Sequence, residues 1–165
     1  MIKKPFFPLF TLIIAALFFT KCGIFQPVKT DTPPHFDNRK AITIIKTARS
    51  YIGSPYLYGG VTARGFDCSG LVTVAFQSEN LKLPRASYAM ATVGREIKTQ
   101  DVKIGDLIFF ITNKSNTINH VGIVTERKQN GDVMFIHASD SGVREDNLAM
   151  KYYKNAFVKA MRPFN

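Results

Sequence analysis

Three residues in this sequence are of types that could together do covalent chemistry: Cys68, His120 and His137. A thiolate is the reactive form of cysteine, and an unperturbed thiol ionises only near pH ~8.5. The positive end of a helix dipole and a neighbouring imidazole both make that form easier to reach. Cys68 has a claim on each. It follows Asp67 and opens a segment in which Leu71, Val72, Ala75 and Phe76 fall on one helical face, which puts Asp67 or Cys68 at or near an N-cap. His120 begins, and His137 nearly ends, two apolar β-prone runs, HVGIVTE (120–126) and DVMFIHA (132–138). Between them lies Lys128-Gln129-Asn130-Gly131, and Asn-Gly is a strong hairpin signal. A simple hairpin centred near Asn130 sets His120 opposite roughly Asp140, about three residues past His137. Both imidazoles then share the open end of the hairpin on adjacent strands. In a Cys–His–polar arrangement one imidazole takes the thiol proton, and the third group hydrogen-bonds that ring and fixes its tautomer.

Singly, each of these residues has a plainer reading. A Cys at a helix start is usually a small hydrophobe, and a His near a strand end is usually a satisfied surface or core residue. One Cys and two His also make up the three protein ligands of a catalytic zinc, although the close C-x-x-C pairs favoured by structural zinc are absent from the sequence. The thiol chemistry needs no metal, and no cofactor is expected.

The elements that must position these groups follow from periodicity. Ala41, Ile42, Ile45, Ala48, Arg49 and Ile52 approximate a helical stripe that Asp37 can cap and Gly53-Ser54-Pro55 ends. The segment PYLYGGVTARGFDCSG reads as a Gly-rich loop leading into the Cys68 helix. Residues 80–105 are mixed, with Pro84 and Gly94 as breakers. Then the period shortens: DLIFFIT (106–112), the two histidine-bearing runs and AFVKAM (156–161) predict four strands. Helices first and an antiparallel sheet after them give an α+β layout in one domain. The 165 residues suffice for one core, and 45% of them are hydrophobic, so no disulfide between Cys22 and Cys68 is needed to hold it.

The N-terminus reads as an address. Lys3 and Lys4 precede an apolar run, Leu9 to Phe19, that is short for a membrane span and right for a signal peptide over residues 1–21. Cys22 follows directly, as in the lipobox of bacterial lipoproteins, although Phe19, Thr20 and Lys21 stand where small residues are usual. An ordinary signal peptide cut elsewhere and an uncleaved anchor are the alternatives. Residues 22–36, with Pro27, Pro33 and Pro34, read as an anchor Cys with a flexible tether, in which His35 has no role; 37–165 is the folded domain. Without the leader's three lysines the balance is 19 Lys+Arg against 12 Asp+Glu, or +7. A cationic body favours anionic partners. No Lys/Arg-rich run accompanies the charge, so a nucleic-acid partner is not expected.

The string PYLYGGVTARGFDCSGLV (55–72) resembles the signature of the NlpC-type cell-wall cysteine peptidases. LPRAS (83–87), IGDLIFF (104–110), NHVGIV (119–124) and FIHAS (135–139) follow in that family's order, so the resemblance spans about residues 40–162. It implies a papain-like α+β fold with Cys68 as nucleophile, His120 as base and His137 as the orienting third residue. It implies that Tyr56 lies near the oxyanion and that Asp67 and Ser69 help recognise the substrate's polar end. Gly59, Gly60 and Gly70 would let backbone approach the site. Met90 stands where the family often has Gln, and Arg85 is read as structural, an anchor for backbone or a carboxylate. The implied reaction is hydrolysis of the D-γ-glutamyl–diamino acid bond of peptidoglycan stem peptides, the diamino acid usually being meso-diaminopimelate. The implied setting is an exported monomer in the cell envelope, anchored through Cys22 to the outer membrane facing the periplasm, or free in the periplasm. A related amidase or acyltransferase, a non-catalytic wall-associated lipoprotein and a metalloprotein are the competing readings.

Overall fold

The computed structural model describes residues 38–164 together with Met1. Residues 2–21 of the proposed leader, Cys22, the tether to residue 36, His35 and the Asp37 cap all lie outside the described residues. Among the described residues no helix is long and apolar enough to cross a membrane.

Helix α1 (Asn38–Arg49) buries Ala41, Ile44, Ile45 and Ala48, the i, i+3, i+4, i+7 set of one helical face. Ile42 and Ile52, which the sequence stripe included, are exposed: Ile42 lies off the face that Ala41, Ile44, Ile45 and Ala48 bury, and Ile52 falls in the turn that follows Arg49. The Gly-rich segment is more ordered than a loop. Strands β1 (Val61–Thr62) and β2 (Gly65–Phe66) form a small hairpin, and α2 (Cys68–Gln77) starts directly after it.

A short helix α3 (Ser87–Met90) and strand β3 (Arg95–Ile97) occupy the mixed region. The main sheet adds β4 (Leu107–Phe110), β5 (His120–Arg127), β6 (Val133–Ser139), β7 (Gly142–Asn147) and, after helix α4 (Lys151–Ala156), β8 (Phe157–Arg162). Its order is β3-β8-β4-β5-β6-β7, and all the pairings are antiparallel. The α+β layout is as expected. The four expected strands are all there, and β3 and β7 are additional.

Both sheet faces are covered. Leu107, Phe109, Val121, Ile123, Ile136 and Ala138 pack with α1 and α2 on one face. Ile108, Phe110, Val124, Val133, Phe135 and Ala160 pack with Tyr153 of α4 on the other. Strand alternation therefore fixes where the histidines go. His120 shares parity with Val124, and His137 with Phe135, so both rings project on the second face. The hairpin turn is closed by Gly131 N–H donating to the Lys128 carbonyl at 3.0 Å, with Gly131 at φ +90°.

Candidate active site

The site is built where α2 begins. Asp67 is the N-cap of α2, and its Oδ1 accepts from Gly70 N–H at 2.6 Å. Its Oδ2 accepts from Gly59 N–H at 2.8 Å, tying the glycine-rich segment to the helix start. Arg85 closes the cluster with two bonds, NH1 to Oδ1 at 2.8 Å and NH2 to Oδ2 at 2.7 Å. Ser69 Oγ donates to Asp67 Oδ1 at 3.1 Å and accepts from Arg85 NH1 at 2.8 Å. Burial pushes the Asp67 carboxyl up, but the Arg85 and Gly70 hydrogen bonds outweigh it and hold the group below the usual carboxylate range. Arg85 thus anchors a carboxylate, as the sequence suggested. Asp67 and Ser69 are held by internal partners while still lining the cleft.

Gly70 must be glycine for a visible reason. A Cβ there would strike the backbone carbonyl oxygen of Gly60 and lie 3.1 Å from both Arg85 NH2 and Asp67 Oδ1. Gly60 is equally confined, by the Gly65 carbonyl, whereas Gly59 has open space and a φ of +74°. Alanine gains up to about 1 kcal/mol of helix propensity over glycine. Forced overpacking costs about 1–3 kcal/mol. Gly70→Ala is therefore expected to lower stability by about 1–2 kcal/mol in urea unfolding, the reverse of what propensity alone predicts.

Cys68, the first residue of α2, is 7% exposed, and its Sγ lies 3.8 Å from the Asn119 carbonyl oxygen. Burial pushes its thiol up, and the neighbouring Asp67 charge adds to this. Two cavities meet at this residue. One, of about 520 Å³, is lined by Tyr56, Tyr58, Asp67, Ser69, Arg85 and Tyr88, among others. The second, of about 230 Å³, is lined by Tyr56, Asn119, His120, His137, Asp140 and Tyr152, among others. Tyr56 borders both, and burial, then the proximity of Cys68, raises its hydroxyl pKa.

His120 Nε2 and His137 Nδ1 are 2.8 Å apart. The pairing shifts by one residue around Thr125, from Arg127–Val133 and Glu126–Met134 to Val124–Phe135 and Ile123–Ile136. Continued to the strand end, that register sets His120 opposite Ser139, one short of the expected Asp140, and sets Gly122 opposite His137. The two histidines are then diagonal neighbours on one face, within reach of ring-sized side chains. They do share the open end of the hairpin, as expected.

Burial, and then His137, lowers the His120 pKa from 6.5 to about 3. His137 is also lowered by burial, with Asp146 opposing. A histidine held neutral in the fold but free to protonate when unfolded costs stability once pH falls below its unfolded pKa, ~6.5. For His120 the loss builds from there down to about 3. The lowered carboxylates act only nearer pH ~4, so the window between pH ~6.5 and ~4.5 belongs to the histidines. The urea midpoint is expected to fall across that window, and His120→Asn should flatten the slope.

Sequence reasoning missed Asp146 and Tyr153. Asp146 Oδ2 lies 2.9 Å from His137 Nε2 and 2.9 Å from the Tyr153 hydroxyl, which donates to it. Arg144 NH2 donates to Oδ1 at 2.7 Å. The only signal was a requirement: a buried His137 needs a partner for its second nitrogen. Asp140, Glu145 and Asp146 all lie close in sequence, and only the register of β7 selects among them.

Among the described residues no cluster of His, Cys, Asp and Glu has a metal-holding arrangement. A larger cavity, of about 710 Å³, lies among Arg95, Lys98, Lys103, Arg127 and Arg162, with Arg127 at the opposite end of β5 from His120. It is lined by neither cysteine nor histidine, so cavity volume does not locate the Cys68–His120 pair.

A model of the NlpC/P60 family matches residues 53–162. The probable endopeptidase NlpC of Escherichia coli (strain K12) is 36% identical over 157 residues, 92% of this chain and 96% of that protein. The bifunctional muramidase/DL-endopeptidase CwlT of Bacillus subtilis (strain 168) is 34% identical over 118 residues, 70% of this chain but 34% of that protein. Among solved structures, the peptidoglycan hydrolase RipB of Mycobacterium tuberculosis matches with a TM-score of 0.62 and 27% identity, over 77% of this chain and 66% of that one. The α+β fold is the papain-like one of these structures.

Proposed function

This chain belongs to the NlpC/P60 family and is a cysteine peptidase, and we propose that it hydrolyses the D-γ-glutamyl–diamino acid bond of peptidoglycan stem peptides, with meso-diaminopimelate as the diamino acid. The observation that carries the reading is the convergence of Cys68, His120 and His137 on one cavity, with the two imidazole nitrogens 2.8 Å apart. The names of the relatives support the substrate class: one is a DL-endopeptidase and one a peptidoglycan hydrolase.

In this mechanism His120 takes the Cys68 proton and the thiolate attacks the γ-carbonyl carbon, moving the C=O pair onto oxygen. Backbone N–H groups at the start of α2 and the Tyr56 hydroxyl stabilise that oxyanion. The C–N bond then breaks, the imidazolium of His120 protonates the leaving amine, and a thioester to Cys68 remains. One water, deprotonated by His120, attacks the thioester and releases the glutamyl acid and the Cys68 thiol. Asp67 and Ser69 contact the polar end of the substrate in the cavity of about 520 Å³ that they line.

We also assign residues 1–21 to a leader and 37–165 to the peptidase domain, exported to the cell envelope and held there by lipid on Cys22 through the 22–36 tether. The +7 charge of that form suits a carboxylate-bearing wall polymer.

The test is a defined stem peptide, L-Ala-γ-D-Glu-meso-diaminopimelyl-D-Ala, incubated with the protein and read by mass spectrometry. The expected products are L-Ala-D-Glu and diaminopimelyl-D-Ala. Cleavage at another amide, or none, refutes the assignment.

A further inference from the structure

Two buried residues beside the histidines, Asp146 and Tyr153, have no part in the mechanism above. Asp146 and Tyr153 are 5% and 8% exposed, and His137, which they contact, is wholly buried. His137 lies 2.9 Å from Asp146 by its Nε2 and 2.8 Å from His120 by its Nδ1. Tyr153 donates its hydroxyl to the same Asp146 oxygen, and Arg144 holds the other. Both carboxylate oxygens are thereby fixed, and the group cannot turn.

We propose that Asp146, held by Tyr153 and Arg144, is a positioning residue that sets the tautomers of both histidines and makes Nδ1 of His120 the base. The argument is one of donor and acceptor counting. An ionised carboxylate only accepts, so Nε2 of His137 must carry the hydrogen. A neutral imidazole has one N–H, so Nδ1 of His137 is a lone pair. That lone pair faces Nε2 of His120, which must then be the donor. Neutral His120 has spent its one hydrogen there, and its Nδ1 is left bare to take the proton of Cys68.

Several features hold this order in place. Burial raises the Asp146 pKa, but the His137 and Tyr153 hydrogen bonds and the nearby charges outweigh it and keep the group ionised. Phe135 and Tyr153 pack against the His137 ring at centroid distances of 4.8 and 5.3 Å and hold it in place. When His120 becomes an imidazolium, both its nitrogens donate and the order downstream is unchanged. The carboxylate at the far end then stabilises the cation without taking its proton.

The tautomer order is independent of the substrate; only the naming of His120 as the catalytic base rests on the function proposed above. The experiment is therefore in two parts on the folded chain. Two-bond 15N–1H correlation spectra of the wild type at pH 7 are expected to show N–H at Nε2 of both His120 and His137. Asp146→Ala should mix or invert these tautomers and lower kcat on the stem peptide at least roughly 100-fold, with KM within about twofold. Tyr153→Phe keeps the acceptor and should keep the order, with a much smaller loss. Should Asp146→Ala not fold, the wild-type spectrum alone decides. A wild-type His120 protonated at Nδ1 overturns the proposal, as does an Asp146→Ala variant with unchanged tautomers and kcat. If the stem peptide is not cut but the tautomers are as stated, the function reading fails and this one stands.

Discussion

Replacing His120 with Asn is expected to lower kcat on the stem peptide by about 10³–10⁴, with KM little changed and the fold intact. The size follows from the tasks concentrated on one ring. Burial pushes the Cys68 thiol up, so at neutral pH the thiol does not ionise unaided. His120 is itself held neutral, with a pKa lowered to about 3. The pair therefore rests as thiol and imidazole, and the proton moves only as the nucleophile attacks. The same ring must then protonate the leaving amine. Asn at 120 offers no base for either step. His120 stands at the first position of β5, paired with Phe110 of β4, so its loss leaves the sheet register to the residues after it. Steady-state kinetics together with an unchanged urea midpoint at pH 7 check this; a tenfold effect or less would remove His120 from the mechanism.

The second large effect is expected at Asp67. Asp67→Ala deletes the acceptor for Gly70 N–H, the acceptor for Gly59 N–H and both bonds to Arg85. Loss of an N-cap costs about 1 kcal/mol, and stranded buried donors about 1–3 kcal/mol. Arg85 keeps 42% of its side-chain surface exposed, so water compensates much of its loss and the ion pair adds little. The expected total is about 2–4 kcal/mol, with Asp67→Asn at about half because Asn still caps. Cys68 is the next residue, and displacing it by about 1 Å is enough for roughly a 100-fold loss of kcat/KM. Urea unfolding and kinetics on the two variants test the ladder; equal stability of Asp67→Ala and wild type would contradict it.

Much of this site is legible in the sequence, because its parts obey local rules. Asp67 before an apolar helical face is an N-cap by chemistry, and Cys68 follows from it. His120 and His137 flank an Asn-Gly turn, which sufficed to bring them to one end of a hairpin. The register was off by one residue because a bulge at Thr125 leaves no periodic trace. What stayed hidden depends on the register of a neighbouring strand that carries no periodic signal. Strand β7 reads GVREDN, with three charges in six residues, and its buried residues, Gly142, Val143 and Asp146, do not alternate along it. Neither hydrophobic alternation nor β-propensity marks such a strand, so Asp146 could not be placed against His137. The stripe on α1 was drawn through Ile42 in place of Ile44 for a related reason: in an apolar-rich helix the buried face is chosen by what packs on it.

The central claim is that Cys68 attacks the wall's stem peptides. Purified sacculi digested by the wild type and by Cys68→Ala, with soluble products read by mass spectrometry, test it most directly. The account predicts fragments ending in D-Glu and beginning with diaminopimelate from the wild type, and none above background from a folded Cys68→Ala. The same fragments from Cys68→Ala, or a wild type that releases nothing, would contradict it.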